Sequence, residues 1–295
     1  ERNSMKTTIF ALAAIGVAAA LTLPAGEVSP EPAGPGWKLV WSDEFDIDGA
    51  PNPANWRYEY QGFLRNKEEQ WYTNSPENIF VKDGMLHIVA RLEKEKKPNP
   101  NYREGSENWK ENRRFIEITS AGIVSNGRAE FKYGRIVMRA RMPKGAGLWP
   151  AFWTIGADPE KRRNWPDNGE IDIVEYVGRN PHEKSWMQGA LHWQSPEGKY
   201  RQKNGKYADR PELTDGFHLY GIDWNRDKID FFVDDRVFLS IPIEQCGSEA
   251  YNAFRVPHFL LLNLAVGGML GGKVDRSALP AEYLVDYVRV YQKTE

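Results

Sequence analysis

The sequence is short of the features that mark several large functional classes. It has one cysteine, Cys246, among 295 residues. A single thiol forms no intrachain disulfide, and a zinc cluster built on cysteines is excluded. Neither sign of charge dominates: 39 Lys and Arg stand against 41 Asp and Glu, a net charge of −2. That balance gives no reason to expect nucleic acid or an anionic membrane surface as a partner. Long amphipathic helical patterns and internal repeats are missing too, which leaves strands to build the core. The one extended apolar run, residues 9–23, follows Met5-Lys6 and is too short for a comfortable transmembrane span.

That run has the form of a secretory signal peptide, a basic start followed by a short apolar core. Residues 1–26 are accordingly read as a leader with its upstream residues, implying a secreted or periplasmic protein with no stable membrane association after cleavage. Residues 27–36 carry Pro30, Pro32 and Pro35 and read as a Pro/Gly-rich linker. Residues 37–295 are expected to form one domain. Within them, β-rich runs at 37–41, 78–81, 85–91, 122–125, 129–133, 134–142, 148–155, 170–176, 187–192, 217–224, 228–233, 236–241, 258–265 and 283–292 alternate with turn signals. This pattern predicts an antiparallel β-sandwich. Residues 93–114, charged and interrupted by Pro98 and Pro100, read as a long surface loop; short helical turns are expected at 209–213 and 243–250. Aromatics are plentiful, with 11 Trp, 13 Tyr and 13 Phe. Many belong in the core, but flat aromatic faces also suit the apolar C–H surfaces of sugars.

The chemistry concentrates in Asp167-Asn168-Gly169-Glu170-Ile171-Asp172-Ile173-Val174-Glu175-Tyr176, a turn signal followed by a β-branched run. Alternation puts Glu170 and Asp172 on one face, with Ile171 and Ile173 on the other. It also puts Glu175 beside the isoleucines, an expensive place for a carboxylate. One extra residue at Ile173-Val174, a β-bulge, would return Glu175 to the acidic face, and bulges are enriched beside active sites. Glu170 and Glu175 would then have Cα atoms roughly 13 Å apart at about 3.3 Å per residue. Leaning side chains would bring the carboxyls to about 5–6 Å, near the roughly 5–5.5 Å that retaining glycosidases use. Two plainer readings stay open: a solvated acidic strand face, and a hard-cation site such as calcium. Paired-carboxylate catalysis is preferred. Trp149 and Trp153 share a parity in Leu148-Trp149-Pro150-Ala151-Phe152-Trp153, and on a neighbouring strand they would wall a sugar cleft. His192 is a polar neighbour of the same kind.

The run Glu-Ile-Asp-Ile-Val-Glu resembles the E-x-D-x-x-E signature of glycoside hydrolase family 16. The flanks agree in order: Trp41-Ser42-Asp43-Glu44-Phe45, Tyr133-Gly134-Arg135, the Leu-Trp-Pro-Ala-Phe-Trp run, Asn263-Leu264-Ala265-Val266-Gly267-Gly268 and Val285-Asp286-Tyr287-Val288-Arg289-Val290-Tyr291. Within the family, the bulged signature is most similar to laminarinases, endo-β-1,3-glucanases. The resemblance implies an all-β, concanavalin A-like jelly roll of two antiparallel sheets with a concave cleft, acting on β-glucan as a monomer. It implies Glu170 as nucleophile, Glu175 as general acid/base and Asp172 as the group that tunes the nucleophile. It also implies substrate contacts at Trp149, Trp153, His192, Asn66 and Arg139. No organic cofactor is needed for such chemistry. Many members carry a structural calcium on the convex side, and the matching positions are Glu44, the Gly84 backbone and Asp286. Val174 stands where laminarinases often have Met, and Met269-Leu270 replaces polar and Trp residues usual after the paired glycines. These departures bear on the glucan preferred: laminarin-type, mixed-linked, agar or carrageenan. A non-catalytic β-glucan-binding protein is the remaining alternative, and such relatives are expected to lose the acids.

Overall fold

Alternating side chains give each sheet one apolar face, and removing those faces from water drives the two sheets together. The computed structural model describes residues 34–157, 163–179, 185–207, 213–247 and 251–294. The expected leader and most of the linker lie outside the described residues, and the chain from Gly36 onward forms a compact unit. Among the described residues no helix is long and apolar enough to cross a membrane.

One sheet has ten described strands. Its order is Arg236–Pro242, Lys228–Val233, His218–Trp224, Gly134–Arg141, Ala281–Lys293, Met85–Pro98, Phe115–Ser120 and Gln70–Tyr72. Trp37–Asp43 also pairs with Ala281–Lys293, and Ile79–Lys82 with Met85–Pro98. The other sheet has eight, in the order Tyr200–Tyr207, Trp186–Gln194, Glu170–Val177, Leu148–Gly156, His258–Val266, Gly122–Val124 and Arg57–Tyr58. Its eighth strand, Glu130–Phe131, lies beside His258–Val266. Pairing is antiparallel throughout, except that Gln70–Tyr72 runs parallel to Phe115–Ser120. The result is the expected β-jelly roll.

Both sheets feed one core. Ile136, Met138 and Ala140 from the ten-stranded sheet join Ile171, Leu191, Leu262 and Leu264 from the eight-stranded one in a single buried cluster. Each of the Ile, Met and Leu side chains contributes about 1.5–3 kcal/mol on full burial. The eight-stranded sheet therefore has one face committed to the core and the other free to carry a site.

Several expectations need correction. Residues 93–114 are not all loop, because the strand Met85–Pro98 runs through the first six of them. A register shift between Leu92 and Lys97 lets Lys97 and Pro98 pair with Ile116 and Phe115. Charged side chains along an exposed strand hide its pairing from a hydrophobicity reading. Tyr200–Tyr207 escaped notice for the same reason: nearly all its side chains face solvent at a sheet edge. Gln70–Tyr72 and Phe115–Ser120 are further strands, while the run at 129–133 shrinks to Glu130–Phe131. Ile243–Gln245 forms a single 3-10 turn, and most of the turn expected at 209–213 lies outside the described residues.

The turn that leads into Glu170 is held from two sides. Gly169 has φ +77°, and a Cβ there would lie 2.5 Å from the Ala253 Cβ. A Cβ on Gly156 would lie 1.9 Å from the Asn168 carbonyl oxygen. Gly156→Ala should therefore push this turn outward, at a cost of about 1–3 kcal/mol. The melting temperature should fall by about 2–4 °C for each kcal/mol, with turnover falling because Glu170 moves. Calorimetry and initial rates check this, and a variant unchanged in both would show that the contact does not position the strand.

Candidate active site

The acidic strand carries the bulge. Against Trp186–Gln194, Glu170 pairs with His192, Asp172 with Ala190 and Glu175 with Gln188, so three steps on one strand match two on the other. Against Leu148–Gly156, Asp172 pairs with Trp153 and Val174 with Phe152, which leaves Ile173 as the extra residue. Ile171, Ile173, Val174 and Tyr176 all enter the core cluster. Two consecutive residues thus point inward, and the side chain after them returns to the outer face. Glu170, Asp172 and Glu175 line one cavity of about 360 Å³ with Trp149 and Trp153.

Each acid has its own partners. Glu175 accepts hydrogen bonds from Trp149 Nε1 at 3.1 Å and Gln188 Nε2 at 2.8 Å. His192 Nε2 lies 2.9 Å from Asp172 Oδ2 and 3.9 Å from Glu170 Oε1. On its other side, His192 Nδ1 is 2.6 Å from the Tyr200 hydroxyl, and the two rings stack with centroids 5.8 Å apart. Trp165, at the mouth of the cavity, approaches Tyr200 at 5.3 Å. Trp153 Nε1 donates to Asn263 Oδ1 at 2.7 Å, and Asn263 Nδ2 donates to the Tyr72 hydroxyl at 2.9 Å. The Arg65 guanidinium sits 5.0 Å from the Trp153 ring centre and is held by Glu59 at 2.6 Å. Asn66 also lines the cavity and donates to Glu68 at 3.3 Å.

All three acids are pushed above the ordinary carboxylate range. Burial is the largest cause for each, because it penalises the charged form. The negative charge of Asp172 adds to the rise at Glu170, while His192 and Arg65 oppose it. At Asp172 the charge of Glu175 adds to burial, and a hydrogen bond with Glu170 opposes. At Glu175 the Gln188, His192 and Trp149 contacts hold the rise down. Its elevation comes from desolvation.

The structure brings together Glu170, Asp172, Glu175, Trp149, Trp153 and Asn66, with His192 beside them. It does not bring Arg139. That residue lies on the ten-stranded sheet, where its guanidinium pairs with Asp286 at 2.5 Å and packs 4.8 Å from the Phe217 ring centre. Even-numbered neighbours in Gly134–Arg141 fill the core, so Arg139 projects to the opposite, outer face. The same pair bears on the calcium set. Asp286 is engaged by Arg139, Glu44 is gripped by Arg289 through two hydrogen bonds of 2.8 and 2.9 Å, and Gly84 lies in the turn before Met85. A calcium ion takes six to eight oxygen ligands drawn from carboxylates, carbonyls and water. Both carboxylates are held by guanidinium groups, and the expected set also draws on the Gly84 backbone. Among the described residues the one cluster of metal-capable side chains is Glu170, Asp172 and His192, with ligand atoms within 4.8 Å of one another.

Arg65, Gln188, Tyr200, Trp165 and Asn263 were not singled out from sequence. Asn263 was visible only as part of a flanking motif. Gln188 could have been found by pairing it with Glu175 across a bulge. Arg65 and Tyr200 lie far from the signature in sequence and join it through tertiary contacts alone.

Comparison with known proteins follows from this geometry. Residues 67–289 match the family described as "Glycosyl hydrolases family 16". A glucan endo-1,3-beta-glucosidase A1 from Niallia circulans is 33% identical over 287 residues, spanning 89% of this chain and 39% of that longer enzyme. The crystal structure of a laminarinase from Rhodothermus marinus superposes with a TM-score of 0.72 at 39% identity, covering 88% of this chain and 98% of that one. A structure from work on endo-acting O-glycanases of the human gut microbiota that initiate mucin breakdown superposes with a TM-score of 0.79. It is 34% identical and covers 90% of this chain and 95% of that one.

Two measurements test the electrostatics. Acids whose folded-state pKa exceeds the unfolded value add stability that is fully present below the unfolded value of about 4, and that is lost as pH rises through the raised values. Glu170→Gln removes one such group. Its melting temperature should exceed that of the wild type at pH 7 by about 2–4 °C for each kcal/mol regained, with little difference at pH 4. A pH-independent difference would show that burial of charge is not the cause. Trp149→Phe removes one donor to the Glu175 carboxylate and should move the basic limb of the pH–rate profile upward; an unmoved limb would assign that limb to another group.

Proposed function

Because this chain belongs to glycosyl hydrolase family 16, we propose that it cleaves β-1,3-glucosidic linkages within laminarin-type β-glucans by a retaining double displacement. The observation that carries this reading is the bulge at Ile173. It alone puts Glu175 beside Glu170 and Asp172 in a Trp-walled cavity. The match to a laminarinase and to an endo-1,3-glucosidase supports the choice of linkage.

Glu170 attacks the anomeric carbon, and Glu175 gives its proton to the departing glycosidic oxygen. The products are a free sugar end and a glycosyl ester on Glu170. Glu175, now ionised, takes a proton from water, which cleaves the ester with the original configuration restored. Burial favours the protonated form of Glu175. Trp149 and Gln188 then supply hydrogen bonds that the carboxylate needs after it has given up the proton. Glu170 must be ionised to attack. Its burial opposes this, so His192 and the Arg65 guanidinium, which act in the other direction, matter for populating the reactive form. Asp172 holds His192 at 2.9 Å and so keeps that ring next to the nucleophile. The three acids titrate as a set, and a pH–rate profile reports their macroscopic values. Trp149 and Trp153 offer faces on which pyranose rings stack. The apolar run at 9–23 supports export to a compartment where the polymer is found.

Glu170→Ala should lower kcat by on the order of 10⁴-fold or more. Added azide should restore turnover in Glu175→Ala and yield a β-glycosyl azide. Proton NMR of the first-formed product should show the β anomer, and early α product would rule out retention. For linkage, reducing ends released from laminarin, lichenan, agarose, carrageenan and mucin O-glycans separate the specificities. Mucin belongs in that panel because of the O-glycanase neighbour. Cleavage of agarose or mucin with laminarin untouched would overturn the proposed substrate.

A further inference from the structure

A second groove, of about 620 Å³, borders the catalytic cavity and is larger than it. The two share a wall one residue thick. Along residues 65–69, Arg65, Asn66 and Glu68 line the cavity, while Lys67 and Glu69 line the groove. Backbone bonds fix that wall: Met269 N donates to Asn66 O at 2.9 Å and Glu69 N to Val266 O at 2.8 Å. Arg113 clamps it from the groove side, donating to the carbonyls of Glu68 and Lys67 at 2.6 and 3.1 Å. The guanidinium is held between Phe63 and Trp109, at 4.9 and 5.1 Å from their ring centres.

The groove is cationic. Lys67, Arg113, Arg114 and Arg276 face Glu69 and Glu117. Both acids are already engaged: Arg276 lies 2.8 Å from Glu117 and 3.8 Å from Glu69, and Lys96 adds a second contact to Glu117 at 2.8 Å. Lys67, Arg113 and Arg114 make no ion pair among the described residues. Burial lowers the pKa of Arg113, the sign of a guanidinium short of counter-charge, although Glu69 and Glu68 act in the other direction. Beside these cations lies an exposed ring, Phe115, with Arg114 at 5.5 Å from its centre. Unpaired cations next to an exposed aromatic face suit a sugar ring that bears an anionic group.

We propose that this groove is a subsite for an anionic sugar unit, carrying a sulfate ester or a carboxylate, on the same polysaccharide chain that enters the catalytic cavity. The inference rests on reading that cavity as the polysaccharide cleft. Lys67 and Arg114 supply charge at the exposed rim, Phe115 supplies the stacking face, and Arg113 keeps the shared wall in register with the cavity. Anionic substitution near the cleaved linkage would then favour binding, where a neutral groove would be indifferent to it.

The experiment uses the full chain carrying Glu170→Ala, so that binding is read without turnover. It is titrated calorimetrically with neutral, sulfated and carboxylated laminarin oligosaccharides of equal length at 50 mM NaCl. At least one anionic form should bind about 10-fold more tightly than the neutral one, and the stronger of the two identifies the group preferred. The ratio should fall toward one when Lys67→Gln and Arg114→Gln are added, and also at 500 mM NaCl. Lys38→Gln with Lys132→Gln, far from the groove, should keep it. Equal affinity for neutral and both anionic forms overturns the proposal, as does a ratio lost equally in the distant pair. Cleavage of neutral laminarin by the wild type is measured alongside. Its absence would count against the proposed reaction, while the affinity ratio still decides the groove.

Discussion

Everything in the site depends on one extra residue in a strand. A pleated strand assigns its side chains to two faces in strict turn, so two acids an odd number of residues apart cannot share a face. Glu170 and Glu175 are such a pair. Ile173 breaks the count, and the core accepts the consequence because Ile173 and Val174 are both apolar and both buried. The flanking strands register the irregularity at the same place, between Phe152 and Trp153 on one side and opposite Gln188 to Ala190 on the other. A local insertion is thus stabilised by packing behind it and by pairing on both sides.

Once the acids share a face, their electrostatics follow from burial. Three carboxylates in one cavity would repel if all were ionised, and desolvation resists charging any of them. The surrounding groups divide the acids by partner. Glu175 meets neutral donors, Trp149 and Gln188, which serve it in either protonation state. Glu170 and Asp172 meet His192, a side chain that can carry charge, steadied by stacking on Tyr200. That division suits the roles proposed for Glu175 as the acid and Glu170 as the nucleophile.

Arginines organise the periphery. On the ten-stranded sheet, Arg139 and Arg289 pair with Asp286 and Glu44, which couples distant parts of the chain. On the cleft side, Arg113 grips a short wall from the groove, while Arg65, itself part of that wall, lies over the Trp153 ring in the cavity. A wall so thin ties the shape of one space to the other. The departures at Met269-Leu270 fall at this boundary, where Met269 is exposed and lines the groove.

The sequence by itself determined the β-sandwich, because alternation and turn residues are local signals, and it determined the acidic strand together with its bulge. The bulge was legible because the cost of a buried carboxylate makes the regular strand untenable. It pointed to the tryptophan wall through parity taken together with the acid cluster on the neighbouring strand. What it could not determine was partnership. Arg139 and Asp286 looked like separate site residues, and only the pairing of Gly134–Arg141 with Ala281–Lys293 showed that they neutralise each other on the outer face. The strand Tyr200–Tyr207 gave no hydrophobic signal, since an edge strand exposes most of its side chains, yet it delivers Tyr200 to His192. Tertiary structure decided these because a charge or a hydroxyl carries no pattern of its own. Its role is set by whatever the fold places within a few ångströms.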